Sequence, residues 1–213
     1  MELNKYIDHT LLKADATEEE IRKLCEEAIL YKFCSCCVNG DYVGLVHSLL
    51  EGTGVKTCTV VGFPLGSMAT TSKIQEAREA IFEGADEIDM VINISHLKDK
   101  KYDEVLFELQ RMREACGSKV LKVILECCLL TDEEIVKACE LCKQASVDFV
   151  KTSTGFSKGG ATVHDVKLMA DTCQGFPHVK ASGGIKNKKD ALDMIEAGAT
   201  RIGTSHGVEI VKE

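Results

Sequence analysis

The sequence predicts an α/β protein folded as a single (β/α)8 TIM barrel, with one domain over residues 1–213. Three observations carry this. Eight short runs rich in Val, Ile, Cys and Thr alternate with amphipathic, helix-patterned segments. No low-complexity linker divides the 213 residues, which suffice for one sizeable core. Glycines gather at the last two runs, Gly183-Gly184 and Gly203, where such barrels often build phosphate sites. An open doubly wound sheet is the competitor. Its nucleotide signatures are absent: there is no GxGxxG after the first run and no GxxxxGKS/T anywhere.

The strand-like runs fall at residues 7–12, 33–38, 55–63, 87–94, 120–127, 147–152, 178–182 and 201–204. Buried parallel strands read this way because both faces are covered. After the first run, Thr17 and Glu20 form a capping box that opens a helix with Ile21, Leu24 and Ala28 on one stripe. A shorter helix is expected at 41–50. Residues 71–84 place Ile74, Ala77 and Ile81 together, and 102–116 do so with Val105, Leu109, Met112 and Cys116. Thr131 with Glu134 is a second capping box, leading into Ile135, Ala138 and Cys142. Helices at 162–173 and 187–198 complete the series. Gly84 and Gly198 suit the left-handed residue that ends a helix.

Composition narrows the function. The formal net charge is −8, which argues against a general nucleic-acid surface. No apolar run approaches the roughly 20 residues that span a bilayer, and the first residues do not read as a secretory signal. A cytoplasmic protein is expected, without nucleic-acid or membrane partners. A homo-oligomer is compatible with the sequence. The 11 cysteines are expected to be reduced core thiols. Cys139 and Cys142 form a CxxC, but inside a helical pattern and without a second pair, so no metal site is expected.

The chemistry-bearing feature is Val147-Asp148-Phe149-Val150-Lys151-Thr152-Ser153-Thr154-Gly155, echoed one βα unit later by His178-Val179-Lys180-Ala181-Ser182-Gly183-Gly184. Strand interiors seldom hold lysine, because an unpaired buried ammonium is costly. Strand alternation puts Lys151, Lys180 and Asp89 on faces that can share the barrel interior. A lysine attacks a carbonyl only as the free amine, and a second cation with partial burial favours that form. The iminium that results is an electron sink for breaking or forming a C–C bond, with Asp89 moving protons. The plainer reading makes both lysines structural ion-pair partners of Asp89 and Glu87. Gly155, Gly183, Gly184, Gly203, Thr204 and Ser205 offer N–H groups and hydroxyls suited to phosphate. His206 follows in the same loop. Asp8 and Cys37 lie at strand positions that could face the pocket.

Six segments in order resemble the 2-deoxyribose-5-phosphate aldolases: Ile7-Asp8-His9-Thr10-Leu11-Leu12-Lys13, Val60-Val61-Gly62-Phe63-Pro64-Leu65-Gly66, Ala85-Asp86-Glu87-Ile88-Asp89-Met90-Val91, Phe149–Phe156, Val179–Ile185 and Arg201–Ser205. The resemblance runs from Tyr6 to Val211. It implies cleavage of 2-deoxy-D-ribose 5-phosphate to D-glyceraldehyde 3-phosphate and acetaldehyde, and the reverse addition, by class I chemistry without cofactor or metal. Residue by residue, Lys151 matches the Schiff-base lysine, Lys180 the second lysine, Asp89 the proton-relay carboxylate, Asp8 a supporting aspartate and Cys37 a cysteine beside the substrate. The family commonly has Ser at His206 and often proline at Gly40. Some longer members add a tail ending in tyrosine, whereas this sequence reads Val211-Lys212-Glu213. A transaldolase-like Schiff-base barrel and a non-catalytic phosphosugar-binding protein are the alternatives.

Overall fold

The computed structural model describes residues 2–213. Eight parallel strands close a barrel in sequence order. They are β1 (Ile7–Leu11), β2 (Ser35–Val38), β3 (Lys56–Val61), β4 (Glu87–Val91), β5 (Val120–Ile124), β6 (Phe149–Lys151), β7 (His178–Ser182) and β8 (Arg201–Thr204). Closure comes from β8 against β1, with Ile7 beside Ile202, Asp8 beside Gly203 and His9 beside Thr204. Outside run α1 (Glu18–Tyr31), α2 (Val43–Leu50), α3 (Thr70–Phe82), α4 (Ile94–Lys98), α5 (Tyr102–Cys116), α6 (Asp132–Gln144), α7 (Val163–Cys173), α8 (Lys188–Glu196) and α9 (Gly207–Lys212). Among the described residues no helix is long and apolar enough to cross a membrane.

Local chemistry sets the helix starts. Both expected capping boxes form, at Thr17 with Glu20 and at Thr131 with Glu134. Asn93, Thr162 and Asn187 cap α4, α7 and α8 through side-chain oxygens. Several strands are shorter than their apolar runs, because buried connections continue the run. Leu125 and Cys127 still donate backbone hydrogen bonds to Lys151 and Thr152, but Cys127–Leu129 already turns as a 3-10 helix. Val147 bonds back to Cys142, so it ends α6 and does not start β6. The sequence pattern misses α4 and α9, since five or six residues carry too little periodicity.

Two different interiors result. Between strands and helices lies a continuous apolar core that includes Ile88, Met90, Leu121, Val123, Val150 and Ile202. Inside the barrel the apolar cluster is small: Leu12, Cys37, Cys58 and Val60, with Phe63 against it. All 11 cysteines are free, and nine are buried. Cys139 and Cys142 sit on the buried stripe of α6.

One buried ion pair braces the end of β4. The Lys73 ammonium, on α3, lies 2.9 Å from Glu108 Oε1, on α5, and donates at 2.8 Å to the Val91 carbonyl. The same Glu108 oxygen accepts from Asn93 N. Removing one partner of such a pair leaves a buried charge uncompensated. Glu108→Ala is therefore expected to cost about 3–5 kcal/mol. The double substitution Lys73→Met with Glu108→Leu should recover most of that loss, as read by urea unfolding.

Candidate active site

Strand alternation points one residue in two at the barrel axis, and here seven of those residues form a charged cluster. Asp8, Glu87 and Asp89 supply three carboxylates, and Lys122, Lys151, Lys180 and Arg201 four cations. Asp89 is the hub. Its Oδ2 accepts from both Lys151 Nζ and Lys180 Nζ, each at 2.8 Å, while its Oδ1 accepts from Lys122 Nζ at 2.8 Å. Cys58 Sγ donates to the same Oδ1 at 3.3 Å. Lys151 and Lys180 are register partners on β6 and β7, so their side chains leave the sheet side by side and converge on one oxygen.

Below the hub, Lys122 also pairs with Glu87 Oε2 at 2.5 Å. Arg201 bridges Asp8 at 2.8 Å and Glu87 at 3.0 Å, with its guanidinium 5.1 Å from the Phe149 ring centroid. Asp8 takes Lys180 at 2.5 Å and a hydroxyl bond from Ser35 at 2.7 Å. The cations therefore differ in how tightly they are held. Lys122 faces three carboxylates, Lys180 and Arg201 two each, and Lys151 only Asp89.

Burial alone would raise the pKa of Asp89. Lys122, Lys151 and Lys180 outweigh it and hold the carboxyl well below its usual range. For Asp8, burial is likewise overcome by Lys180, Arg201 and Lys122, and the pKa is lowered. Burial pushes Lys180 and Lys122 down, but their carboxylate partners win and both are raised. At Lys180 and Lys122, burial is thus outweighed by the carboxylates that surround them.

The cluster reaches, through Lys151, a cavity of about 250 Å³ at the C-terminal ends of β1, β6, β7 and β8. Lys151 is the one cluster member that lines it, together with Gly155, Gly183, Gly184, Gly203, Thr204, Ser205 and His206. Asp89, Lys180, Asp8 and Cys37 are fully buried and are not among the lining residues. Gly155, Gly183 and Gly184 have positive φ of 84°, 86° and 81°, which side chains other than glycine adopt at a cost. Among the described residues, the N–H groups of Gly155, Gly184 and Ser205, three exposed residues, meet no protein acceptor. Lys13 and Lys186 stand on the same wall.

Other expected residues take different places. Gly203 lies within β8, where a Cβ would come 3.0 Å from Lys180 Cε, so it makes room for that side chain. The Thr204 hydroxyl is already engaged, donating to the Ile185 carbonyl and accepting from His206 N. Cys37 is the β2 register partner of Cys58. The two thiols and Asp89 lie within 4.8 Å of one another, a donor set of metal-binding type. A divalent cation there would face three ammonium groups already on Asp89. Lys122 and Arg201 escaped the sequence reading. The signal for Lys122 was present, since Val120-Leu121-Lys122-Val123-Ile124 also sets a lysine inside an apolar strand.

A closed parallel barrel with buried lysines and a carboxylate opening on a cavity at its strand C-termini is the architecture of an α/β-barrel enzyme. The DeoC/LacD aldolase family model matches residues 3–212, and the chain belongs to that family: it is an aldolase. It is 62% identical to the deoxyribose-phosphate aldolase of Finegoldia magna, over 100% of both chains. It is 58% identical to that of Clostridium tetani, over 100% of this chain and 99% of the relative. Among solved structures, the tetrameric deoxyribose phosphate aldolase of Aeropyrum pernix superposes with a TM-score of 0.92 at 36% identity. That match covers 99% of this chain and 89% of the other.

The interior network makes stability depend on acid in a defined direction. Asp8 and Asp89 are lowered on folding, so their contribution is complete above about pH 5. It is lost as pH falls through about 3.9, the unfolded value, towards the folded ones. Lys122→Met should cost about 3–5 kcal/mol at pH 7, because three carboxylates lose their shared cation. Urea unfolding at pH 7 and pH 3 should show this difference shrinking in acid, because Lys122 helps to hold Asp8 and Asp89 below the unfolded value and that contribution is being lost there.

Proposed function

We propose that the protein is a Schiff-base aldolase that reversibly cleaves 2-deoxy-D-ribose 5-phosphate to D-glyceraldehyde 3-phosphate and acetaldehyde. One observation carries the reading: Lys151 is the single buried amine of the cluster that lines the cavity, and its only charged partner is Asp89. The deoxyribose-phosphate aldolase names of relatives at 56–62% identity over the full chain support the substrate.

With four cations against three carboxylates, the interior balances when one amine is neutral. Lys151 has the fewest partners and faces the cavity, so it is the amine assigned to attack. The amine adds to C1 of the open-chain sugar, and loss of water gives an iminium. The C3 hydroxyl then gives up its proton while the C2–C3 bond breaks. That bond's electrons neutralise the iminium as an enamine, and C3 becomes the aldehyde of glyceraldehyde 3-phosphate. Protonation of the enamine at C2 and hydrolysis release acetaldehyde and restore Lys151.

Asp89, directly or through a water, is assigned the proton transfers. Whenever Lys151 is uncharged, Asp89 has lost one of the three cations that hold it as a carboxylate, and its proton affinity rises at the step that needs a base. Lys180 keeps Asp89 and Asp8 in place at 2.8 and 2.5 Å. The phosphate is assigned to the N–H groups of Gly155, Gly184 and Ser205, with Lys13 and Lys186 nearby. No step asks for a metal or an organic cofactor. A homo-oligomer is also proposed, by analogy with the tetrameric Aeropyrum pernix relative, and sedimentation would check it.

Acetaldehyde followed by borohydride should leave one ethyl group per chain, on Lys151. An adduct at another lysine, or none with active protein, overturns the assignment. Asp89→Asn should lower kcat by about a hundredfold or more, the scale of a lost general acid–base group. Turnover should be unchanged by a chelator; sensitivity would point to a metal-dependent aldolase.

A further inference from the structure

Glu126 is a buried carboxylate that the chemistry above leaves without a task. It follows β5 by two residues, with φ 58° and ψ 59°, a left-handed conformation that costs a residue with a side chain. No salt bridge joins it to any cation among the described residues; its partners are neutral donors. Oε1 accepts from Thr154 N at 3.2 Å and from Cys128 Sγ at 3.9 Å, and Oε2 takes a short bond from the Thr154 hydroxyl. Because that hydroxyl proton is committed to Glu126, the Thr154 oxygen is left to accept from Phe156 N, which it does at 3.0 Å.

The segment held in this way is the rim of the cavity. Thr154, Gly155 and Phe156 all line it, three to five positions beyond Lys151. The Gly155 N–H sits between the two anchored amides of Thr154 and Phe156 and meets no protein acceptor. From the other side the same connection rests on the β7–α8 turn. Ala161 N donates to the Ser182 and Gly183 carbonyls, and a Cβ on Gly160 would lie 2.2 Å from the Gly183 oxygen. The strained Glu126 is thus one jaw of a clamp that holds the Gly155 amide beside the Gly184 turn.

We infer that Glu126 is a positioning residue for the phosphate end of the substrate, acting through Thr154 to aim the Gly155 N–H. This rests on the deoxyribose phosphate reading above. The carboxylate bonds none of the reacting atoms, so its effect belongs to substrate affinity and discrimination for the phosphoryl group. Chemistry at Lys151 is not its part.

The test compares 2-deoxyribose 5-phosphate with unphosphorylated 2-deoxyribose on the full chain. Glu126→Gln keeps the size but offers one acceptor in place of two carboxylate oxygens. It should raise KM for the phosphorylated sugar on the order of ten- to a hundredfold, the scale of one charge-assisted hydrogen bond. Its kcat should stay within about threefold, and kcat/KM for the unphosphorylated sugar should hold. Inorganic phosphate, as a ligand without chemistry, should bind more weakly by a similar factor.

Thr154→Val is the second variant, should the first fold poorly. It should give the same KM defect, and the double variant should be no worse than either single one, since both act through one link. Equal losses on both sugars, a fall confined to kcat, or additive effects in the double variant would each overturn the inference. Trapping acetaldehyde on Lys151 of the parent chain keeps the two readings apart. If the adduct fails, the Schiff-base reading falls; if it forms and KM is unmoved in Glu126→Gln, only the positioning role falls.

Discussion

The structure depends on one constraint: seven ionisable groups share a buried interior, and their charges must compensate within a few ångströms. Taking an ion out of water costs several kcal/mol even after relaxation, so each member is tolerable only because the others are present. Asp89 shows this most clearly, with three ammoniums on two oxygens. A hydrocarbon filling would be easier to fold around. Barrels of this class are usually packed inside with branched apolar side chains, whereas here the interior apolar cluster of Leu12, Cys37, Cys58 and Val60 is small. Charge replaces packing where Lys151 and Lys180 meet Asp89.

That constraint also divides the labour of the site. The floor is made by side chains from strands, which fixes the distances among Lys151, Lys180 and Asp89 through the sheet register. The rim is made by backbone N–H groups on glycine turns, whose direction depends on neighbouring loops. Floor and rim are set by different parts of the chain, so each can be altered without rebuilding the other.

Much of this was legible in the sequence. The alternation of strands and helices, both capping boxes and the pairing of Lys151 with Lys180 and Asp89 follow from local pattern, and all eight strands are found. The losses have physical causes. Apolar runs overshoot the strands because the first turn of each connection is itself buried, as at Leu125 and Cys127. The α4 and α9 helices are too short to show a period. Lys122 carries the same signal as Lys151, a cation in an apolar strand, but no glycine-rich loop follows it, and Arg201 stands at the very start of its strand. They lie low in the barrel, where the Asp8 they share is far from both in sequence and comes near only when the barrel closes. The role of Glu126 needs a backbone angle that composition does not report.

The pairing of Arg201 on β8 with Asp8 on β1 spans 193 positions of the chain, and it bears on how the protein reaches this structure. Half a barrel would bury part of the interior network without its complement: β1 to β4 bring three carboxylates and none of the four cations. Such a fragment lacks the compensation that makes burial tolerable, and has little reason to settle as a stable intermediate. Closing contacts so far apart in sequence is slow, since chain entropy must be lost before the reward arrives. The network that holds Lys151 in place therefore also makes assembly close to all-or-none, with the last strand completing the circuit that the first one opened.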